Sequence, residues 1–297
     1  MFSACPDTTS LALDAAKRLV GTMTDSLKPP RRTNWIAEIR NPAALILLVV
    51  GFHSLVAKPF YIPSESMMPG LQVGDRLLVS KYPYGWSYAS ASFHLLPFIE
   101  GRLLGRTPER GDVVIVSRPE SGSSDDLIKR VVGLPGDSVQ MVRGRLRLNG
   151  KFVPTQDLGY RRIRPDSNLR CSAKDFEARP GSDQGRSHCR LHVLKETLPG
   201  GRSYEVLDLR ASPQDDTAPY KVPAGHVFLL GDNRDNSADS RFSLASGGLG
   251  GPVPLEAIGG RAEFITFSLK GEASLNPTSW FSNFRAGRSG VSLRPQG

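Results

Sequence analysis

Two serines and one lysine have the residue types that serine acyl-transfer chemistry needs. Ser64 and Ser66 lie in YIPSESMMPGLQVGD, residues 61–75, and a serine hydroxyl attacks well only when a neighbouring group takes its proton. Lys129 lies in DDLIKRVVGLPGD, residues 125–137, where burial among apolar side chains would lower the lysine pKa and leave the amine neutral. Considered alone, this lysine is better explained as an edge-strand residue that points to solvent.

Histidine is the more usual base for a serine, and the chain has five histidines. His53 lies inside an apolar run, His188 and His192 flank Cys189, and His226 lies in an apolar strand pattern that favours a packed residue. A Ser-His-Asp triad is therefore the weaker prediction for this chain.

A third set of reactive side chains lies in GDNRDNSADSR, residues 231–241. Its closely spaced Asp and Asn residues suggest a calcium loop, but the twelfth position holds no Glu, and Arg234 and Arg241 would repel a cation. A turn braced by Asp–Arg pairs is the better interpretation, and no metal site is predicted here.

Short β-branched runs must position these residues. Four of them adjoin a Gly-Asp pair, at residues 73–80, 110–117, 134–141 and 225–232. Strands of this length between Gly, Pro and Asp turns predict a mainly β fold with an antiparallel β-barrel or sandwich as its core. Residues 142–153 predict a hairpin with Asn149-Gly150 at its turn.

The longest apolar run, residues 42–58, predicts a transmembrane helix that anchors the chain. Flanking apolar residues extend the run toward the ~20 residues that a membrane span needs. A buried core helix is an alternative, whereas a cleaved signal peptide is disfavoured because about 40 mostly polar residues come first. Basic residues precede the run and only Lys58 immediately follows it, so the positive-inside rule predicts a cytoplasmic N-terminus.

Net charge and cysteine positions bear on the binding partners of the chain and on its cellular compartment. The 297 residues carry a formal net charge of +9, but no Lys/Arg block interleaved with aromatic residues favours nucleic-acid binding. Cys5 would be reduced in the cytoplasm, and Cys171 and Cys189 would be able to form a disulfide across the membrane. Free thiols and a zinc site are alternatives, although the spacing of Cys189 and His192 departs from the usual zinc pattern.

The order of the motifs is more specific than any one of them. PSESMMPGLQVGD, RGDVVIV, LIKRVVGLPGD and GDNRDNSADSR follow one another in the chain. Together they resemble bacterial type I signal peptidases, the membrane-bound serine proteases with a Ser/Lys dyad. The resemblance covers residues 43 to about 266, with 155–220 matched only loosely, and the Gly-rich segment after the last motif is similar to the alphaproteobacterial form.

The resemblance implies a role for each matching residue. Ser66 would be the nucleophile and Lys129 the general base, while the Ser64 hydroxyl and the Ser66 backbone N–H would hold the oxyanion. Supporting roles fall to Ser237, which would orient the lysine ammonium, and to the charged residues Asp239, Arg241 and Arg130. The walls of the substrate pockets would be Phe60, Ile62, Met67, Leu71, Leu127 and Ile128.

The implied reaction is the removal of signal peptides from exported preproteins after Ala-x-Ala, without a metal or cofactor. The implied partners are signal peptides and the lipid bilayer, but not nucleic acid. The implied location is the inner membrane, with the catalytic domain outside the cytoplasm. Glu65 and Gly70 depart from the family pattern, since many members have Gly at the first position and Thr at the second.

The domain organisation predicted from these observations has five parts. They are a cytoplasmic segment (1–41), the anchor (42–58), a catalytic β core (59–154 and 221–270), an inserted subdomain (155–220) and a tail (271–297).

Three other functions fit part of the sequence. A self-cleaving repressor with a Ser/Lys dyad would need a DNA-binding region and no anchor. A non-catalytic, membrane-anchored β-domain binding protein would not need Ser64, Ser66 and Lys129 intact. A dedicated maturation peptidase for conjugation or pilus proteins would use the same chemistry, and the sequence leaves that alternative open.

Overall fold

The computed structural model describes residues 34–90, 101–118, 126–166, 168, 189–271 and 283–295. In chain order, its helix and strands are α1 (Trp35–Leu55), β1 (Ala57–Tyr61), β2 (Asp75–Ser80), β3 (Val113–Ser117), β4 (Asp126–Gly133), β5 (Ser138–Val142), β6 (Arg145–Leu148), β7 (Lys151–Phe152), β8 (Thr155–Ile163), β9 (Cys189–Thr197), β10 (Ser203–Leu207), β11 (Tyr220–Lys221), β12 (His226–Leu230), β13 (Val253–Pro254) and β14 (Ile258–Ser268). The prediction of a mainly β, antiparallel fold is confirmed.

Seven strands form the central sheet, in the order β1-β2-β14-β3-β4-β12-β13, and each pairs antiparallel with its neighbours. β1 lies at one edge and β4 lies four places away, yet Phe60 of β1 and Leu127 of β4 line the same cavity. The sheet is therefore curved. Register shifts of β14 against both β2 and β3 are bulges of the kind that bend a sheet.

Both faces of the central sheet are covered, which explains the continuous β-branched sequence of β3. Val113 and Ile115 pack in one core cluster with Ile62, whereas Val114 and Val116 pack in a second cluster. Successive side chains of a strand point to opposite faces, so a strand buried on both sides reads as an unbroken apolar run.

A four-stranded sheet, in the order β11-β5-β6-β7, contains the predicted hairpin. Asn149 and Gly150 connect β6 to β7 with φ values of 50° and 80°. Two left-handed residues form the two-residue turn that matches strand twist, and an Asn-Gly pair adopts it at low cost. This prediction is confirmed.

A three-stranded sheet, in the order β10-β9-β8, lies within the predicted insert, residues 155–220. Tyr204 and Val206 of β10 pack in the same core cluster as Val139 and Leu146 of the four-stranded sheet. The two small sheets therefore share one core, and the boundaries of the insert stay a prediction.

The predicted anchor at residues 42–58 overlaps α1 only in part. α1 ends at Leu55 and β1 follows almost at once. In the part of the chain that the structure describes, no helix combines the length and the apolar character that crossing a membrane requires.

The two cysteines that were predicted to pair, Cys171 and Cys189, can be followed only in part. Cys189 begins β9, is fully buried and is disulfide-bonded. Its predicted partner, Cys171, lies outside the described residues, so that pairing stays a prediction. The Nε2 atom of His192 lies 2.9 Å from Asp157 Oδ1. Because a disulfide sulfur is not a free thiolate, these contacts do not favour the zinc alternative.

Candidate active site

The predicted nucleophile lies in the loop between β1 and β2. Backbone hydrogen bonds from Ile62 to Asp75 and from Gly74 to Ile62 close the loop at its base. Met67 and the following residue, Met68, are buried side chains that hold the loop against the interior. The peptide bond between Met68 and Pro69 is cis. Ser66 lies inside this tight turn and is only 7% exposed.

The predicted base lies in the middle of β4, 63 residues further along the chain. Lys129 Nζ donates hydrogen bonds to Ser66 Oγ at 3.1 Å and to the Ile128 carbonyl at 2.9 Å. The lysine is 2% exposed, and desolvation by burial lowers its pKa from 10.5 to about 8. Burial disfavours the ammonium form, so a substantial fraction of the amine is neutral in mildly alkaline solution.

A second buried lysine provides an internal comparison. Burial, aided by the nearby Lys58, also lowers the pKa of Lys81 to about 8. Its ammonium nitrogen, however, lies 5.6 Å from the centre of the Phe60 ring, and no hydrogen bond to a serine is found in the described residues. Geometry, and not the pKa alone, therefore singles out Lys129 as the partner of Ser66.

Ser64 lies on the solvent side of Ser66, the predicted nucleophile. Its hydroxyl oxygen is 3.4 Å from Ser66 Oγ, and the residue is exposed. Ser64 therefore has the freedom to turn its hydroxyl toward a substrate oxygen that approaches Ser66.

The loop after β12 packs beneath the pair. Asp239 and Arg241 form a fully buried ion pair at 2.9 Å, and Asp239 also accepts a hydrogen bond from Gly231 N. A side chain at Gly231 would collide with both Ser237 Oγ and Ser66 O, so this position needs glycine. Ser237 Oγ is buried and has no hydrogen-bond partner among the described residues, so it makes no hydrogen bond to Lys129 here, and its role in orienting the lysine stays a prediction.

Arg130 braces a neighbouring part of the same loop. Its Nε and Nη2 atoms donate to the two carboxylate oxygens of Asp232 at 2.7 and 2.6 Å, and Nη1 donates to the Gly111 carbonyl. The guanidinium also stacks over the Tyr204 ring at 4.2 Å. Arg130 thus has its own carboxylate partner, separate from the Asp239–Arg241 pair.

Sequence reasoning missed the contacts that clamp the nucleophile loop to the loop after β12. Asn233 N donates to the Ser66 carbonyl at 3.1 Å, and its side-chain amide donates to the Glu65 carbonyl at 3.2 Å. Asn236 Nδ2 donates to the Glu65 carboxylate at 3.1 Å. The unusual glutamate is thereby part of the clamp. Both asparagines lie in residues 231–241, where the resemblance implied roles only for Ser237, Asp239 and Arg241.

A cavity of about 340 Å³ opens beside the pair, between the segment after β1 and the start of β4. Four of the predicted pocket residues line it: Phe60, Ile62, Leu127 and Ile128. The other two, Met67 and Leu71, are not among its lining residues and are 1% and 2% exposed in the adjoining core cluster.

One group of carboxylates in the described residues has the spacing of a possible cation site. Ligand oxygens of Asp208, Asp215 and Asp235 lie within 4.8 Å of one another, and burial together with the two neighbours raises the pKa of Asp208 to about 6. Asp235 accepts from Leu209 N and Asp215 from Ser212 N. Acidic clusters of this kind are common without an ion, and this one is not part of the Ser66 site.

The chain matches the sequence profile of a family described as signal peptidase, peptidase S26, over residues 32–267. It belongs to this family. A protein named Signal peptidase I from Rickettsia typhi is 33% identical over 234 residues, which are 76% of this chain and 78% of that protein. The namesake from Rickettsia conorii is 32% identical over 255 residues, 83% of this chain and 85% of that protein.

The predicted resemblance to type I signal peptidases of the alphaproteobacterial form is thus confirmed. The protein is a serine endopeptidase of signal-peptide processing. A non-catalytic binding protein is no longer an alternative for this chain.

The C-terminal strap, defined here as residues 283–295, is a further part of the peptidase that the sequence did not predict. Arg288 donates to both carboxylate oxygens of Asp75, at 2.9 and 2.5 Å, and to the Gly70 carbonyl at 2.9 Å. Leu293 packs in the core cluster that contains Met67. The strap therefore holds the far side of the loop that carries Ser66.

Replacing Arg288 by alanine is expected to loosen this loop. Asp75 is fully buried, so losing its cation should lower the free energy of unfolding by about 2–3 kcal/mol. A displaced nucleophile should also lower kcat by about tenfold or more. Arg294→Ala is the matched control, since Arg294 lies in the same strap but is 60% exposed and pairs with Glu263. Equal effects of the two variants on kcat would contradict a specific role for Arg288.

Proposed function

We propose that the peptidase cuts signal peptides with Ser66 as nucleophile and Lys129 as general base. The supporting observation is the hydrogen bond of 3.1 Å between Lys129 Nζ and Ser66 Oγ, made by a buried amine whose pKa is lowered to about 8. An amine of this kind removes a hydroxyl proton at mildly alkaline pH without help from histidine.

The proposed reaction has two stages. Neutral Lys129 takes the Ser66 proton while Oγ attacks the carbonyl carbon of the scissile bond. The C–N bond then breaks, the ammonium of Lys129 returns its proton to the leaving amine, and an ester with Ser66 remains. Lys129 next takes a proton from a water molecule, which attacks the ester carbonyl carbon. The bond between that carbon and Ser66 Oγ then breaks, the Lys129 ammonium returns the proton to Oγ, and the signal peptide leaves with a carboxylate end.

Negative charge on the substrate oxygen needs hydrogen-bond donors. The Ser66 backbone N–H and the Ser64 hydroxyl are the proposed donors, and the distance of 3.4 Å between the two serine oxygens supports this assignment. A single donor of this type contributes about 3 kcal/mol to transition-state stabilisation.

Specificity for Ala-x-Ala is proposed to arise in the cavity beside Ser66. β4 pairs with β3 from Asp126 onward but with β12 only from Arg130, so in the described residues one edge of Asp126–Lys129 has no strand partner. An extended peptide can add to such an edge. Alternate residues of an extended chain face the same way, so the first and third residues before the bond would both enter the cavity, where Phe60 and Ile128 limit their size.

We infer that the peptidase works at the inner membrane, with a cytoplasmic N-terminus and the catalytic region outside. Apolar side chains of α1, such as Leu45 and Leu47, are 61% and 73% exposed, which in water would be unfavourable. The basic residues that precede them in the sequence would remain on the cytoplasmic side. Flotation of the full chain with vesicles and protease accessibility of each terminus would test the location and the orientation.

The pH dependence of peptide cleavage tests the dyad. Only the neutral amine accepts a proton, so kcat/KM for a synthetic Ala-x-Ala peptide should rise about tenfold per pH unit in acid and level off above a midpoint near the Lys129 pKa of about 8. A flat profile of kcat/KM between about pH 5 and 9, a range that begins roughly three pH units below the Lys129 pKa, would contradict lysine as the base.

A peptide with Phe in place of the third residue before the cleaved bond tests the cavity and should be cut far more slowly.

A further inference from the structure

Two charged residues lie in the wall of the substrate cavity, which is otherwise lined mainly by apolar side chains. Arg118 follows β3 directly, and Asp126 is the first residue of β4. Ser117 and Asp126 face each other in the β3–β4 ladder, so Arg118 lies just beyond the last pair. Neither charge belongs to the proposed dyad or to the residues that brace it.

The two charges differ in how well they are satisfied. Asp126 Oδ1 accepts a hydrogen bond from Ser117 Oγ at 2.8 Å. Among the described residues, Arg118 Nε is a buried donor without a hydrogen-bond partner, and the guanidinium forms no ion pair. A buried donor without an acceptor is costly, whereas a guanidinium binds carboxylate groups strongly and with two parallel hydrogen bonds. The cavity therefore offers a cation that a ligand could satisfy.

The ladder places Arg118 at a definite distance from the reacting bond. Lys129 pairs with Val114, and Asp126 pairs with Ser117, so three residues of β4 separate the amine from the end of the ladder. At about 3.3 Å per residue, this is roughly 10 Å. An extended substrate that starts at Ser66 and follows β4 would bring its fourth to sixth residues before the bond to Arg118.

We propose that Arg118 is a specificity residue that favours substrates with an acidic side chain at the fourth, fifth or sixth position before the cleaved bond. This inference rests on the proposed function, since it uses the same cavity and the same direction of the substrate chain. Arg118 touches the substrate through its guanidinium and takes no part in proton transfer.

The test compares three peptides that differ only at these positions, with Glu, Gln or Lys there and Ala-x-Ala before the bond. The wild-type enzyme should cut the Glu peptide about tenfold faster than the Lys peptide, measured as kcat/KM and mainly through KM, because remote contacts contribute uniform binding. In Arg118→Gln this ratio should fall to about one, and in Arg118→Glu it should invert, because a like-charge contact is repulsive.

Arg145→Gln is the matched control, since it makes the same change of net charge at an exposed residue of β6 in another sheet. The control should keep the wild-type ratio. The proposal would be overturned if Arg118→Gln kept the wild-type ratio of kcat/KM between the Glu and Lys peptides, or if it lowered kcat/KM equally for all three peptides. Failure of the wild-type enzyme to cut the Gln peptide would instead contradict the proposed function.

A pH profile supplies a second readout that a purely structural role would not alter. The charges that act on Lys129 are Asp239 and Asp232, which raise its pKa, and Arg118 and Arg241, which lower it. Removing the Arg118 cation should therefore raise the Lys129 pKa and move the acid limb of kcat/KM to higher pH. Arg145→Gln should leave the limb in place, and no difference between the two variants would count against the assigned position of Arg118.

Discussion

Ser66→Ala and Lys129→Met are each expected to lower peptide cleavage by about 10⁴-fold or more, because nucleophile and base act as one unit. The geometry behind this expectation is the hydrogen bond of 3.1 Å between Ser66 Oγ and Lys129 Nζ, two residues that are 7% and 2% exposed. The measurement is kcat/KM for an Ala-x-Ala peptide at pH 9, about one unit above the Lys129 pKa of about 8, where most of the wild-type amine is neutral.

Both variants should remain folded, which separates lost chemistry from lost structure. Methionine fills a similar volume to the lysine stem and removes a buried ionisable group, so thermal unfolding of Lys129→Met should occur at the same or a higher temperature. Lys81→Met is the sharper control, since Lys81 is also buried with a pKa of about 8 but has no contact with Ser66. It should stay within about tenfold of wild type. Lys129→Met with a tenth of normal activity would exclude the dyad.

Asp239→Asn is expected to give the largest loss of stability. The carboxylate is fully buried and binds Arg241 through both oxygens, at 2.9 Å each, and also accepts from Gly231 N. Removing one partner leaves a buried guanidinium without its counter-charge, which should lower the free energy of unfolding by about 3–5 kcal/mol. Urea unfolding of the two proteins would measure the difference.

Asp239→Asn should also change the pH dependence of cleavage. The Asp239 carboxylate raises the Lys129 pKa, so its removal should lower that pKa and move the acid limb of kcat/KM to lower pH in the protein that remains folded. Glu205→Gln is the control, because Glu205 forms a surface pair with Arg161 at 2.6 Å. That surface pair should contribute about 0–1 kcal/mol to the free energy of unfolding, and its loss in Glu205→Gln should leave the pH profile of kcat/KM unchanged. Equal destabilisation by the two variants would contradict a bracing role for the buried pair.

The sequence predicted the strands because a local pattern of residue types reflects their burial. β3 is apolar from Val113 to Val116, since neighbours cover both its faces, and the turn at Asn149-Gly150 uses the residue types that left-handed φ angles require. The predicted anchor, residues 42–58, has the right position but different ends, because α1 begins at Trp35 and ends at Leu55, and β1 begins at Ala57.

Sequence patterns did not predict the contacts between segments that are far apart in the chain. Arg288 lies 213 residues from Asp75, and Asn233 lies 168 residues from Glu65, yet each pair makes a hydrogen bond that holds the nucleophile loop. No rule of sequence spacing links such residues. Their proximity depends on how the sheet curves and on where later segments of the chain pack against the loop that carries Ser66. Arg118 was missed for the same reason, since only the cavity distinguishes it from the other arginines.

The sequence by itself determined the chemistry that is available: two serines in one turn, a lysine in an apolar strand and an Asp–Arg loop, in an order that indicated the family. The tertiary structure decided which lysine meets which serine. Lys81 and Lys129 are both buried and have similarly lowered pKa values, but only Lys129 has its nitrogen at hydrogen-bond distance from Ser66. The physical reason is the curved sheet, which brings β4 beside the segment after β1, so that Ser66 and Lys129 are both buried where they meet.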